Sequence, residues 1–221
     1  MAEPNHEELF DLGMLSYNKQ DFSKARKYFE KACDLKDGRG CGILGWIYED
    51  GKGVEKNSKK AAQFFSKSCD LNIGLGCFNA GVSYENGQGV ENNSEKAAQF
   101  YSKACDLNNN KGCFNLGALY QNGQGVEKDL IKVAYFYTKA CDLKDGLGCF
   151  NLGTLYLEKD SKKAVALFEK ACDLNIGRGC GALGFLYGSG NGVEKDLTKA
   201  AQYVSKACKL GFQEACEMLK E

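Results

Sequence analysis

Twelve cysteines stand in six pairs: Cys33 and Cys41, Cys69 and Cys77, Cys105 and Cys113, Cys141 and Cys149, Cys172 and Cys180, Cys208 and Cys216, each of the form C-x7-C. Thiols at a fixed spacing can close disulfides, hold a metal as thiolates, or stay reduced as core packing or as a nucleophile. Zinc sites favour cysteines about two to four residues apart, or histidine partners. The spacing here is wider, and His6 is the chain's single histidine.

Other residue types with chemistry in them are sparse. One S-x-x-K occurs, Ser16-Tyr17-Asn18-Lys19, without the S-D-N and K-T-G companions that position a serine acyl-transfer nucleophile. A metal-dependent hydrolase has no set of histidines to draw on. The G-x-G segments, such as Gly123-Gln124-Gly125, lack the G-K-[ST] and the preceding strand of a phosphate cradle and read as loops. No cofactor is expected.

The elements that carry the cysteines follow from the repeat. Successive pairs lie 36 residues apart, with a single interval of 31 before Cys172, the self-similarity of a helical array. Aligned on the glycine of L-G-x-L-Y, the chain divides into a tail, 1–6, six units, 7–38, 39–74, 75–110, 111–146, 147–177 and 178–213, and a terminal helix, 214–221. In the fourth unit Cys113, Leu116, Leu119 and Tyr120 recur at helical spacing, as do Val133, Phe136, Tyr137 and Ala140. Each unit is therefore a helix A and a helix B, and with its one proline at Pro4 nothing downstream breaks a helix. Gly13, Gly45, Gly81, Gly117, Gly153 and Gly184 recur inside helix A, where each costs about 1 kcal/mol unless a neighbour comes too close for a Cβ. The small Ala25, Ala61, Ala97 and Ala200 of the B helices are the expected counterparts. The fold class is all-α, a stapled α/α solenoid of helix–turn–helix repeats.

Each C-x7-C pair joins the last turn of one B helix to the first turn of the next A helix, which brings the two cysteines within disulfide reach. Six local bridges are expected, each contributing about 2.5 kcal/mol on the chain-entropy model, and with them an oxidising compartment, secreted or periplasmic. The opening Met1-Ala2-Glu3-Pro4-Asn5-His6 does not read as a secretory signal, so the chain is expected to carry no signal peptide of its own. The 29 basic residues are cancelled by 29 acidic ones interspersed with them, so neither nucleic acid nor membrane insertion is expected.

The combination of L-G-x-L-Y, the G-x-G-V-E-K-D loop, K-A-A-x-[FY]-[FY]-x-K-A-C-D-L and C-x7-C resembles the Sel1-like repeats of the Helicobacter cysteine-rich protein family, over residues 7 to 221. The Ala2-Glu3-Pro4 start is similar to the mature N-terminus of secreted members. The resemblance implies a right-handed superhelix, export, one disulfide per repeat, and penicillin binding with slow β-lactam hydrolysis; it also implies association with host immune recognition and with peptidoglycan-like ligands.

In such repeats the A helices line the concave face. Two residues before the core glycine stand Asn79, Asn115 and Asn151; one turn before that position stand Arg39, Lys111 and Arg178. Lys111 and Asn115 share a face at i, i+4. This resembles the way tetratricopeptide repeats hold peptide carboxylates; the alternatives are solvated face residues or local caps. Phe78, Phe114 and Phe150 beside that row read as inter-repeat core. The resulting expectation is a monomeric binding scaffold for a peptide, peptidoglycan fragment, β-lactam or host protein. A β-lactamase contributing to antibiotic resistance is the alternative reading, and an assembly adaptor of the mitochondrial intermembrane space the third.

Overall fold

The computed structural model describes residues 4–219, in which there are thirteen helices and no strand. The helices fall into two compact units divided between Lys128 and Asp129, inside the fourth repeat rather than at a repeat boundary. The first unit holds α1 (His6–Asn18), α2 (Phe22–Asp34), α3 (Gly38–Asp50), α4 (Ser58–Asp70), α5 (Gly74–Asn86), α6 (Ser94–Asp106) and α7 (Asn110–Asn122). The second holds α8 (Leu130–Asp142), α9 (Gly146–Tyr156), α10 (Ser161–Asp173), α11 (Gly177–Ser189), α12 (Leu197–Lys209) and α13 (Gln213–Met218). Within each unit a helix packs chiefly on its sequence neighbours. In the first, α3 also meets α5, α5 meets α7, and α4 meets α6, the A-on-A and B-on-B stacking of a helical repeat. Among the described residues no helix is long and apolar enough to cross a membrane.

All six expected disulfides form. Cys33 is bonded to Cys41, Cys69 to Cys77 and Cys105 to Cys113 in the first unit or its junctions. Cys141 is bonded to Cys149, Cys172 to Cys180 and Cys208 to Cys216 in the second. The paired Cα atoms stand 4.3 to 4.8 Å apart, and no described cysteine is free. The metal and free-thiol readings of the pairs end there.

Local geometry explains the seven-residue spacing. Each B helix closes in a Schellman turn: in the first, Lys36 N–H donates to the Cys33 carbonyl and Asp37 N–H to the Ala32 carbonyl, with Lys36 left-handed at φ 66°. Asp37 is at once the last residue of that turn and the N-cap of α3, accepting from the backbone N–H of Arg39 and Gly40. The penultimate residue of one helix, such as Cys33, and the fourth of the next, such as Cys41, are then always eight positions apart, and these are the bridged cysteines. The same pair of turn bonds recurs at all six junctions.

The recurrent glycine of helix A meets a larger partner than expected. A Cβ on Gly81 would stand 2.6 Å from the ring of Tyr101, and one on Gly153 2.8 Å from the ring of Phe168; Phe29 and Phe65 face Gly13 and Gly45 in the same way. At these four positions the glycine gives a flat seat to a B-helix aromatic, while Gly184 lies against Val204 and, at 3.3 Å, the carbonyl of the expected Ala200. The other expected alanines, Ala25, Ala61 and Ala97, are fully buried. In the G-x-G loops the second glycine is left-handed, at φ 67° for Gly53, and lies against Phe22 at the start of the preceding B helix, which leaves no room for a side chain.

Asn5 caps α1 in a capping box with Glu8, so the first helix already begins at His6, the last residue of the expected tail. Met1 to Glu3 and the last two residues of the expected terminal helix, 220 and 221, lie outside the described residues.

Two substitutions separate the junction from the core. Lys144→Gly relieves a left-handed lysine at φ 63° and is expected to raise unfolding stability by about 0.5 to 1 kcal/mol, whereas Gly153→Ala forces a Cβ into the Phe168 ring and is expected to cost about 1 to 3 kcal/mol. Urea titration of both variants reads the two signs.

Candidate functional site

Within the first unit α1, α3 and α5, with the end of α4, enclose a cavity of about 150 Å³ that takes two of the expected site residues, Arg39 and Asn79. Phe10 from α1, Ile43 and the single tryptophan, Trp46, from α3, and Leu75 from α5 make its wall largely apolar. Trp46 is 38% exposed at the rim and packs edge-on to Phe65, ring centroids 5.5 Å apart.

The cavity exists because of what Gly42 lacks. Position by position, Gly42 corresponds to Phe78, Phe114 and Phe150, each directly after the second cysteine of a pair. Phe78 packs on Tyr101 at 5.9 Å and Phe150 on Phe168 at 5.6 Å, as core residues should. Gly181 is the other repeat lacking the ring, and there Phe212 fills the space, 2.7 Å from where a Cβ would stand. Beside Gly42 the only close atom is the Ser68 hydroxyl at 3.1 Å, itself donating to the Gly38 carbonyl at 2.7 Å.

Arg39 is not a free cation. Its Nε and Nη2 donate to Asp37 at 3.1 and 2.6 Å, and its guanidinium stacks 4.3 Å over Phe10, so it walls the cavity with its charge already paired. Burial pushes the Asp37 carboxyl up, but hydrogen bonds from Arg39, from His6 at 3.3 Å and from the Arg39 backbone outweigh it and hold the group below the usual carboxylate range. Asn79 is buried, only 6% exposed, and its side-chain amide has no hydrogen-bond partner among the described residues.

The other expected site residues do not join this cavity. Lys111 lies on the Phe78 ring, 5.9 Å from its centroid. Asn115 is engaged with the Tyr101 hydroxyl, which also donates to Glu85 at 2.5 Å. Burial and the Glu85 hydrogen bond raise the Tyr101 pKa, and Asn115 opposes them, the sense expected of an amide that donates to the phenol oxygen. In the second unit Asn151 engages Tyr137 in the same sense, against a rise caused by burial. Arg178 is exposed near the start of α11. Trp46, Gly42 and Phe65 escape a search for repeated polar residues; the signal that reveals them is departure from the repeat, a glycine where Phe78, Phe114 and Phe150 stand and an asparagine, Asn79, set against Phe65 where Asn115 and Asn151 are set against tyrosines.

Neither serine nor histidine chemistry assembles. Ser16 is buried, its hydroxyl donating to the Leu12 carbonyl at 2.9 Å, and His6 faces Asp37.

The Sel1 repeat model matches residues 40–73, 74–109, 110–145, 146–176 and 178–212, and a tetratricopeptide repeat model matches 6–38. The chain belongs to the Sel1 repeat family. This Sel1 repeat protein is also similar to the cysteine-rich proteins of Helicobacter pylori: it is 58% identical over 59 residues to the beta-lactamase HcpA and 59% identical over 59 residues to HcpC. Those matches cover 27% of this chain and only 24% and 20% of the two relatives. Among solved structures, a Sel1 repeat protein from Oxalobacter formigenes superposes with a TM-score of 0.84 at 25% identity, over 96% of this chain and 86% of that one. A protective antigen of uropathogenic Escherichia coli superposes with a TM-score of 0.54 at 26% identity, over 92% and 53%.

The Asp37 cluster predicts a pH signature. A folded pKa held below the unfolded one gives stability that is complete above about pH 4 and is lost as pH falls through the depressed folded value. Asp37→Asn keeps the N-cap and removes the charge; it is expected to cost about 1 kcal/mol at pH 7, and the gap to the wild type should narrow as pH falls below about 4 and close once the folded carboxyl is protonated. Urea midpoints from pH 7 down through the acid range check this.

Proposed function

We propose that this Sel1 repeat protein is an exported binding scaffold whose A-helix face in the first unit holds a segment of polypeptide, either from a protein partner or from cell-wall peptide. The observation that carries this reading is the apolar cavity beside Gly42, open at Trp46 and walled by three successive A helices. A cavity lined by apolar side chains with a few convergent polar groups is the usual form of a ligand pocket. A Sel1 fold supplies the rigid face, and the disulfide at every junction suits a protein working in the periplasm or outside the cell. Charge is a minor contributor, since Arg39 is neutralised by Asp37. The row of Lys111, Asn115, Asn151 and Arg178 is assigned to flanking polar contacts at most.

β-Lactam binding with slow hydrolysis is the second reading, supported by the name of the HcpA relative. It would need a nucleophile other than Ser16, whose hydroxyl is bonded to the backbone.

Both readings are open to one set of purified samples. Displayed random peptides should be enriched on the oxidised wild type and at least tenfold less on Ile43→Glu, which buries a charge in the cavity wall. Recovery of no peptide by the wild type rejects the scaffold, and equal recovery by the variant moves the site elsewhere. A chromogenic β-lactam incubated with the same wild-type sample should give no turnover above a heat-denatured control; turnover that copurifies with the protein would favour the hydrolase.

A further inference from the structure

The repeats carry an internal comparison that bears on what the cavity takes. Asparagine two residues before the core glycine occurs three times, at Asn79, Asn115 and Asn151. The B-helix residue fourteen positions earlier is Tyr101 for Asn115 and Tyr137 for Asn151, and in both cases the amide engages the phenol hydroxyl. For Asn79 the residue fourteen positions earlier is Phe65, which packs on Gly45 as Tyr101 packs on Gly81 but has no hydroxyl to offer. Asn79 is thus left with its amide unpartnered while only 6% exposed, in the wall of the one cavity that a missing Phe ring opens among the described residues. The amide is reached through the cavity rather than sealed from solvent, so a ligand that covers it must supply an acceptor or leave it unpaired at a cost of about 1 to 3 kcal/mol.

We propose that the cavity beside Gly42 receives the side chain of a tyrosine from the bound polypeptide, its ring taking the volume that Phe78, Phe114 and Phe150 occupy in other repeats and its hydroxyl oxygen accepting the Asn79 amide. About 150 Å³ is the volume that holds a benzene-sized ring. Phe10, Ile43 and Trp46 give that ring apolar and aromatic contact. Asn79 then selects the phenol over plain phenyl, as Asn115 and Asn151 bond phenols within the chain. Arg39 stays on Asp37, so no carboxylate is required of the ligand.

This inference rests on the scaffold reading, and small probes separate the two. Trp46 is the chain's single tryptophan and lines the cavity, so its emission, excited at the red edge where tyrosine does not absorb, reports occupancy directly. N-acetyl-tyrosinamide should quench or shift it with a Kd on the order of 1 mM, and N-acetyl-phenylalaninamide should bind about tenfold more weakly. Phe65→Tyr gives Asn79 the internal partner that its counterparts have and fits a position where the fold already carries Tyr; it should weaken the tyrosine probe about tenfold and erase the preference. Gly42→Phe should abolish both probes, and a melting temperature in Phe65→Tyr no lower than that of the wild type keeps the test valid if Gly42→Phe does not fold. Equal binding of the two probes by the wild type, or undiminished tyrosine binding in Phe65→Tyr, overturns the proposal. Peptides enriched without tyrosine would leave the scaffold standing and remove this occupant; probe binding without any peptide enrichment would do the reverse.

Discussion

One junction sets the rest of the structure: a Schellman turn whose last residue is already the N-cap of the next helix, crossed by a disulfide. The turn leaves no residue to spare between helix B and helix A, so the direction in which the chain leaves one repeat is fixed by backbone hydrogen bonds. The bridge then ties the penultimate residue of one helix to the fourth of the next, as Cys105 to Cys113. A repeat unit has too small a core to fold alone, and restricting the unfolded chain at every junction offsets part of that deficit. With the junction fixed, helix A can press its glycine against the aromatic of helix B, and the interior forms from Phe29, Phe65, Tyr101 and Phe168 seated in this way.

The junction and the helices are legible in the sequence because they recur. Six C-x7-C pairs, from Cys33 and Cys41 to Cys208 and Cys216, the L-G-x-L-Y segment and the asparagine or aspartate caps state the same local rule each time, and the bridges follow from it. The identity of the glycine's partner is not legible: both an alanine and an aromatic recur at helical spacing in helix B, and periodicity cannot say which of them lies directly over a glycine. The division of the chain inside the fourth repeat is equally invisible, because Lys128 and Asp129 belong to a loop of ordinary composition.

The site shows the opposite relation. A search for polar residues repeated along a face leads to Asn115 and Asn151, and these are spent on Tyr101 and Tyr137. Arg39 reads as a cation for a carboxylate and is paired with the N-cap of its own helix. What distinguishes the cavity is where the repeat is broken, at Gly42, which lacks the ring of Phe78, and at Asn79, which faces Phe65 where its counterparts face tyrosines. Repetition supplies the frame, and the exceptions to it supply the recognition.

The central claim is that the bridged turn holds the repeats together, and the most direct measurement is urea unfolding of the oxidised protein against the same protein kept fully reduced, followed by helical circular dichroism. Six constraints of about 2.5 kcal/mol each should leave the reduced chain without a cooperative transition, or with one at a far lower midpoint. A reduced protein that unfolds at the oxidised midpoint would contradict the account.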